Sequence, residues 1–183
     1  QAEGVSIQGL IENALAELDG RAVTVTGAGR TDAGVHALGQ VASVSLARED
    51  VGADVVVRSL NAKLPPEVRV MSACEVPAAF HARFDARSKT YRYRLWNADV
   101  LPPLERASAW HVPGVLDLPA MAAAARLVAG RHDFAAFQTL GGATGPTERT
   151  VHASSIAAGD DGLVVYEVTG DGFLRHMVRA IVG

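Results

Sequence analysis

Apolar residues recur at helical spacing over Ser6–Leu18, where Ile7, Leu10, Ile11, Ala14, Leu15 and Leu18 fall on one face and Ser6 can cap the start. Alternation takes over afterwards. Ala22–Thr26 and Gln40–Leu46 read as strands on either side of a glycine-rich segment, Gly27–Gly39. Asp54–Lys63 returns to helical spacing and is stopped by Pro65-Pro66. Val68–Val76 and Arg87–Asn97 read as further strands. The stretch Ala98–Pro113 has three prolines and no periodicity, which places a subdomain boundary near residue 100. Beyond it, Asp117 can cap a helix with Pro119 in its first turn, running to a terminating Gly130. Gly141–Pro146 reads as a loop. Strands at Val151–Ala157 and Leu163–Thr169 follow, joined by a turn at Asp160-Asp161-Gly162. A last helix is expected from Phe173, with Phe173, Leu174, Met177, Val178 and Ile181 on one face and Arg175, His176 and Arg179 opposite. Helices and strands mix without regular βαβ alternation, so the expected class is α+β: an N-terminal subdomain over 1–100 and a C-terminal one over 101–183, with mostly antiparallel sheets joined into one body and helices on one side.

Composition narrows the function classes. With 183 residues, 49% of them hydrophobic, the chain can build a core. No run is long and apolar enough for a membrane span, and the first ten residues do not resemble a signal peptide. One cysteine, Cys74, excludes an intramolecular disulfide framework, fits a reducing cytoplasm and leaves no cysteine-rich metal site. The net charge of −3 argues mildly against nucleic acid, but phosphate binding depends on local density. Arg83, Arg87, Lys89, Arg92 and Arg94 are clustered, as are Arg175, His176 and Arg179. Such clusters are also what a solvated strand or helix face looks like.

The glycine-rich segment carries the candidate chemistry. Arg30 and Asp32 sit between glycines at 27, 29 and 34, which permit positive φ and close approach of a ligand. A carboxylate there is presented on a turn. A turn aspartate that bonds its own backbone is the plain alternative, and spacing alone favours it. A dinucleotide-binding loop fits poorly, because the third glycine comes two residues late and no helix opens after it.

The string GRTDAGVHA over Gly29–Ala37, continued by Gly39-Gln40-Val41, resembles the signature of TruA-type tRNA pseudouridine synthases. Further segments agree in order: Leu60-Asn61-Ala62 with Leu64-Pro65, Phe80-His81-Ala82-Arg83-Phe84, Lys89-Thr90-Tyr91-Arg92-Tyr93, His132-Asp133-Phe134 with Phe137, and Phe173–Arg179 with Ile181-Val182-Gly183. The resemblance implies that Asp32 is the catalytic nucleophile and that Arg30 handles substrate and RNA. It implies that Tyr91 packs on the target base and that Arg179 pairs with the aspartate and orients it. Arg83, Arg87, Arg175 and His176 are expected to contact RNA phosphates. His132 and Asp133 read as braces of a loop, because a lone histidine has no partner at metal-ligand spacing. The implied substrate is the tRNA anticodon arm at uridines thirty-eight to forty, handled by a cytoplasmic homodimer with no cofactor and no metal. The family opens with a strand and continues past the last residue here, so the chain is expected to be truncated at both ends. Two other classes compete: an RNA-binding module without catalysis, and a nucleotide-cofactor enzyme using the glycine loop.

Overall fold

A computed structural model describes residues 6–139, 145–159 and 161–183. Among them are four α-helices and two sheets, an α+β arrangement with no closed barrel. The chain divides into two compact units, 1–86 and 87–183. The division falls earlier than the boundary expected near residue 100, for a reason visible in the second unit.

In the first unit, α1 (Ile7–Asp19) begins where Ser6 Oγ accepts from Gly9 N and ends at Gly20, with φ +75. Helix α2 (Ala53–Lys63) ends before the two prolines, as expected. The two helices enclose a core of Ala14, Leu15, Leu60 and Leu64. Val23 and Val25 join that core, and Val68 and Val70 pack against it. The strands expected over Ala22–Thr26 and Gln40–Leu46 are nevertheless mostly extended chain outside any ladder: β1 is Thr26–Gly27 and β2 is Ala42–Ser43, paired antiparallel. Side chains stand in for neighbouring strands. Glu12 Oε1 accepts from Val25 N at 3.0 Å, and Gln8 Nε2 donates to Val25 O at 3.2 Å. Asn61 exchanges two 2.8 Å bonds with the backbone of Val70. The strand expected over Val68–Val76 is thus an extended segment pinned by an asparagine, since a strand needs a partner backbone that periodicity cannot supply.

The second unit is built on a five-stranded sheet in the order β4-β3-β7-β6-β5. Its strands are β3 (Lys89–Trp96), β4 (Trp110–His111), β5 (Gly130–Asp133), β6 (Glu148–Ala158) and β7 (Leu163–Gly170). All pairings are antiparallel except β3 with β4. Here β3 lies between β4 and β7, so it belongs with the C-terminal half of the chain. The proline-bearing stretch after it is no linker. It supplies β4, and Asn97 Nδ2 donates to the carbonyls of Val112 and Gly114 at 2.7 and 2.6 Å. Strand β5, unforeseen in the sequence, starts at Gly130, whose φ of +113 allows the turn out of α3 (Leu118–Val128). The expected cap of α3 is in place: Asp117 Oδ1 accepts from Ala120 N at 2.9 Å. In the turn between β6 and β7, Gly162 has φ +90; Asp160 and residues 141–144 of the expected loop lie outside the described residues.

Alternation on β7 buries Val164, Tyr166, Val168 and Gly170 and half-exposes the residues between them. Opposite them in register stand Leu95, Tyr93 and Tyr91 of β3. Helix α3, through Ala125, and α4 (Met177–Val182), through Met177, complete this core on the same face of the sheet. Helix α4 starts four residues later than periodicity predicts. His176 has φ +60, a left-handed conformation that ends any helix entering it from Phe173. Phe173 and Leu174 instead pack from a turn closed by Met177 N donating to Leu174 O at 3.1 Å.

Candidate active site

The carboxylate singled out by sequence lies in the first unit, on the loop joining β1 to β2. The two strands clamp the loop's ends, and Ala28 N donates to Val41 O at 2.8 Å as one further rung. Gln40 Nε2 reaches back to Gly29 O at 2.9 Å, immediately before Arg30. Within the loop, Val35 N donates to Asp32 O at 3.1 Å, which makes Asp32 the first residue of a four-residue turn. Gly34, third in that turn, has φ +80, where a Cβ would be strained although it would touch nothing. Asp32 and Arg30 are both exposed. The loop therefore presents a carboxylate and a guanidinium two residues apart on a backbone fixed at its base.

The far ends of these segments are held by a residue that sequence reading missed. Asp19 closes α1 with its carboxylate wholly out of solvent. It accepts from Ala47 N at 2.8 Å and Arg48 N at 3.0 Å, just beyond β2, and from Arg21 Nε at 2.9 Å. The Ala47 N–H bond, with the Arg48 N–H bond and the Arg21 guanidinium, holds its pKa below the usual carboxylate range against the opposing effect of burial. A depressed native pKa stabilises the fold above the unfolded value near pH 4; that stabilisation is lost as pH falls through the native value. Its backbone partners are 28 and 29 residues away, so no local pattern announces those contacts.

Of the other expected site residues, Arg83 lies in the first unit, and Arg87, Tyr91, Arg175, His176 and Arg179 lie in the second. Tyr91 stands on β3 opposite Val168, half-buried, with its ring edge-on to Phe173 at 4.9 Å and 76°. Its neighbour on the same face, Tyr93, meets Trp110 edge-on. Tyr166 is buried beside them with its hydroxyl 3.0 Å from Ser154 Oγ, and burial raises its pKa. Arg179 projects from α4 and is exposed. Arg175 is also exposed but precedes the helix, so the shared helical face expected for Arg175, His176 and Arg179 does not form. A clasp holds their backbone instead: Thr139 Oγ1 lies 2.8 Å from His176 Nδ1 and donates to Arg175 O at 3.2 Å. Arg83 and Arg87 are exposed. His132 and Asp133 brace their loop as read from sequence. His132 Nε2 lies 2.9 Å from Ala129 O, and Asp133 accepts from Ala135 N at 3.0 Å and Thr147 Oγ1 at 2.5 Å. The Thr147 and Ala135 bonds hold the Asp133 carboxyl below its ordinary range.

A loop of this build suits any reaction that needs an exposed, positioned carboxylate, and comparison with known proteins narrows the choice. The family model described as tRNA pseudouridine synthase matches residues 1–85 and 124–183. The chain belongs to the tRNA pseudouridine synthase family. Relatives agree: the tRNA pseudouridine synthase A of Methylacidiphilum infernorum is 45% identical over all of this chain and 71% of its own length. That of a Bacillus species is 42% identical over 97% of the chain and 72% of its own length. That of Geobacter sulfurreducens is 45% identical over all of the chain and 74% of its own. Members of a pseudouridine synthase family are isomerases, and this chain is one of them. No helix among the described residues is long and apolar enough to cross a membrane.

Proposed function

We propose that this synthase isomerises uridines thirty-eight to forty in the anticodon arm of tRNA, with Asp32 as the nucleophile. The observation that carries the proposal is the loop: an exposed aspartate at the head of a turn that needs Gly34, tied at its base by Gln40. An ionised carboxylate can attack the ribose or the base, or assist departure of the base. Each route divides a difficult exchange into easier steps. In the net reaction the N1–C1′ bond breaks and a C5–C1′ bond forms. The C5 hydrogen leaves as a proton and N1 gains one, so the product is an isomer and no oxidant or reductant is required.

Tyr91 is assigned to the target base, where a ring offers a stacking surface and a hydroxyl for proton transfer. Its edge contact with Phe173 and its place on a fully paired strand favour a fixed orientation. Arg179 is assigned to orienting the nucleophile and Arg30 to the substrate. Arg83, Arg87, Arg175 and His176 are assigned to the RNA backbone, where phosphate contacts offset the cost of unstacking the target. The working protein is a cytoplasmic homodimer. Incubating unmodified tRNA with the chain, then mapping pseudouridine by carbodiimide adducts and primer extension, tests the site of action. Stops at thirty-eight to forty are expected. Stops elsewhere would overturn the assignment to the anticodon arm.

A further inference from the structure

Residues 81–85 form a compact turn whose backbone is tied down several times over. Phe84 N and Asp85 N donate to His81 O at 3.1 and 2.9 Å, and Asp85 Oδ2 accepts from His81 N at 2.7 Å. His81 Nδ1 accepts from Arg83 N at 3.2 Å and Phe84 N at 3.3 Å. Ala82, buried beneath the turn, donates from its N to Ser43 Oγ at 3.3 Å, which fastens the turn to β2, the strand that leaves the Asp32 loop. The hydrogen bonding fixes an exposed aromatic ring. Phe84 is held 77% exposed, with its ring stacked on the His81 imidazole at 4.2 Å and 29°. Leaving a phenyl ring in water forgoes burial that would favour the fold, and a rigid turn prevents it from folding inward.

The chemistry of the patch selects its occupant. A flat ring backed on one face by imidazole offers a stacking surface with no shape-specific pocket around it. Arg83, between the two rings in sequence, is exposed and makes no ion pair with a described residue. An aromatic plane beside an uncompensated cation matches a nucleotide, whose base stacks and whose phosphate is anionic. We infer that the His81–Phe84 pair is a stacking platform for an unpaired base of the substrate RNA, with Arg83 on the adjoining phosphate. The inference rests on the proposed function for its ligand and extends it to a second nucleotide, distinct from the one that reacts.

The test uses the full chain and an anticodon stem-loop carrying 2-aminopurine at successive loop positions. At one position the parent quenches fluorescence on binding. Phe84→Leu keeps the apolar bulk but not the aromatic plane. It is expected to lose that quenching and to raise KM by about 5- to 150-fold, the range of one lost base stack, with a much smaller change in kcat. Phe84→Trp is expected to restore both. Because the side chain is exposed, circular dichroism should not distinguish the variants. Equal KM and equal quenching in Phe84→Leu and a turning-over parent would overturn the platform and leave the isomerase standing. So would a changed sedimentation coefficient with unchanged KM, which would make the ring a protein contact. Quenching that depends on Phe84 in a parent that forms no pseudouridine would support the platform and sink the proposed function.

Discussion

The two units of this synthase solve the same problem by different means. The second binds its strands to one another: β3 and β7 share eight residue pairs in register, and the register of β6 against β7 shifts between Val151 and Ala153. The first has two-residue strands and secures its extended segments with side chains, Glu12 on Val25, Asn61 on Val70, Asp19 on Ala47 and Arg48. A ladder distributes its bonds over many residues, whereas a side-chain clasp concentrates them in one. Loss of a clasp should therefore free a whole segment. The Asp32 loop belongs to the clasped unit and Tyr91 to the laddered one, so substitutions remote from the chemistry should affect the two differently.

The largest effect is expected in the laddered unit's core. Met177 is fully buried, and Met177→Ala should cost about 2–5 kcal/mol in chemical denaturation, through lost burial and the cavity left behind. In the clasped unit, Asp19→Ala removes three N–H partners at once and should lower the melting temperature by roughly 10 °C at pH 7. The deficit should shrink as pH falls below about 4, because the parent then loses what its ionised Asp19 contributes. A deficit independent of pH would show that the charge is irrelevant. Asn61→Ala comes next, at about 1–3 kcal/mol, with faster hydrogen exchange at Val70 and unchanged exchange along β7. Smallest in stability is Gly34→Ala, about 1 kcal/mol from the backbone alone. Its effect on turnover should be disproportionate, on the order of tenfold or more, because the turn aims Asp32.

Local signals in the sequence were reliable guides to local structure. Ser6 and Asp117 cap their helices, the proline pair ends α2, and Gly34 takes the positive φ its loop needs. The strands read at Arg87–Asn97, Val151–Ala157 and Leu163–Thr169 are found as β3, β6 and β7. What the sequence did not disclose depends on distant partners. The strands β4 and β5 exist because a neighbour's edge was available, and β1 and β2 are short because none was. The left-handed His176 defeats periodicity, since non-glycine residues seldom adopt that backbone. Among the candidate site residues, the turn at Asp32 and the strand bearing Tyr91 could be read in advance. Asp19, and the clasp of Thr139 on His176, could not, because each joins residues far apart along the chain.

Asp32 is proposed to perform the isomerisation. Tritium release from tRNA labelled at uridine C5 tests it directly, since the C5 hydrogen must leave whichever route is followed. The parent chain should release tritium and Asp32→Asn should release none, while both bind tRNA. Release that persists in Asp32→Asn would contradict the account, and binding without release by either protein would point to an RNA-binding module instead.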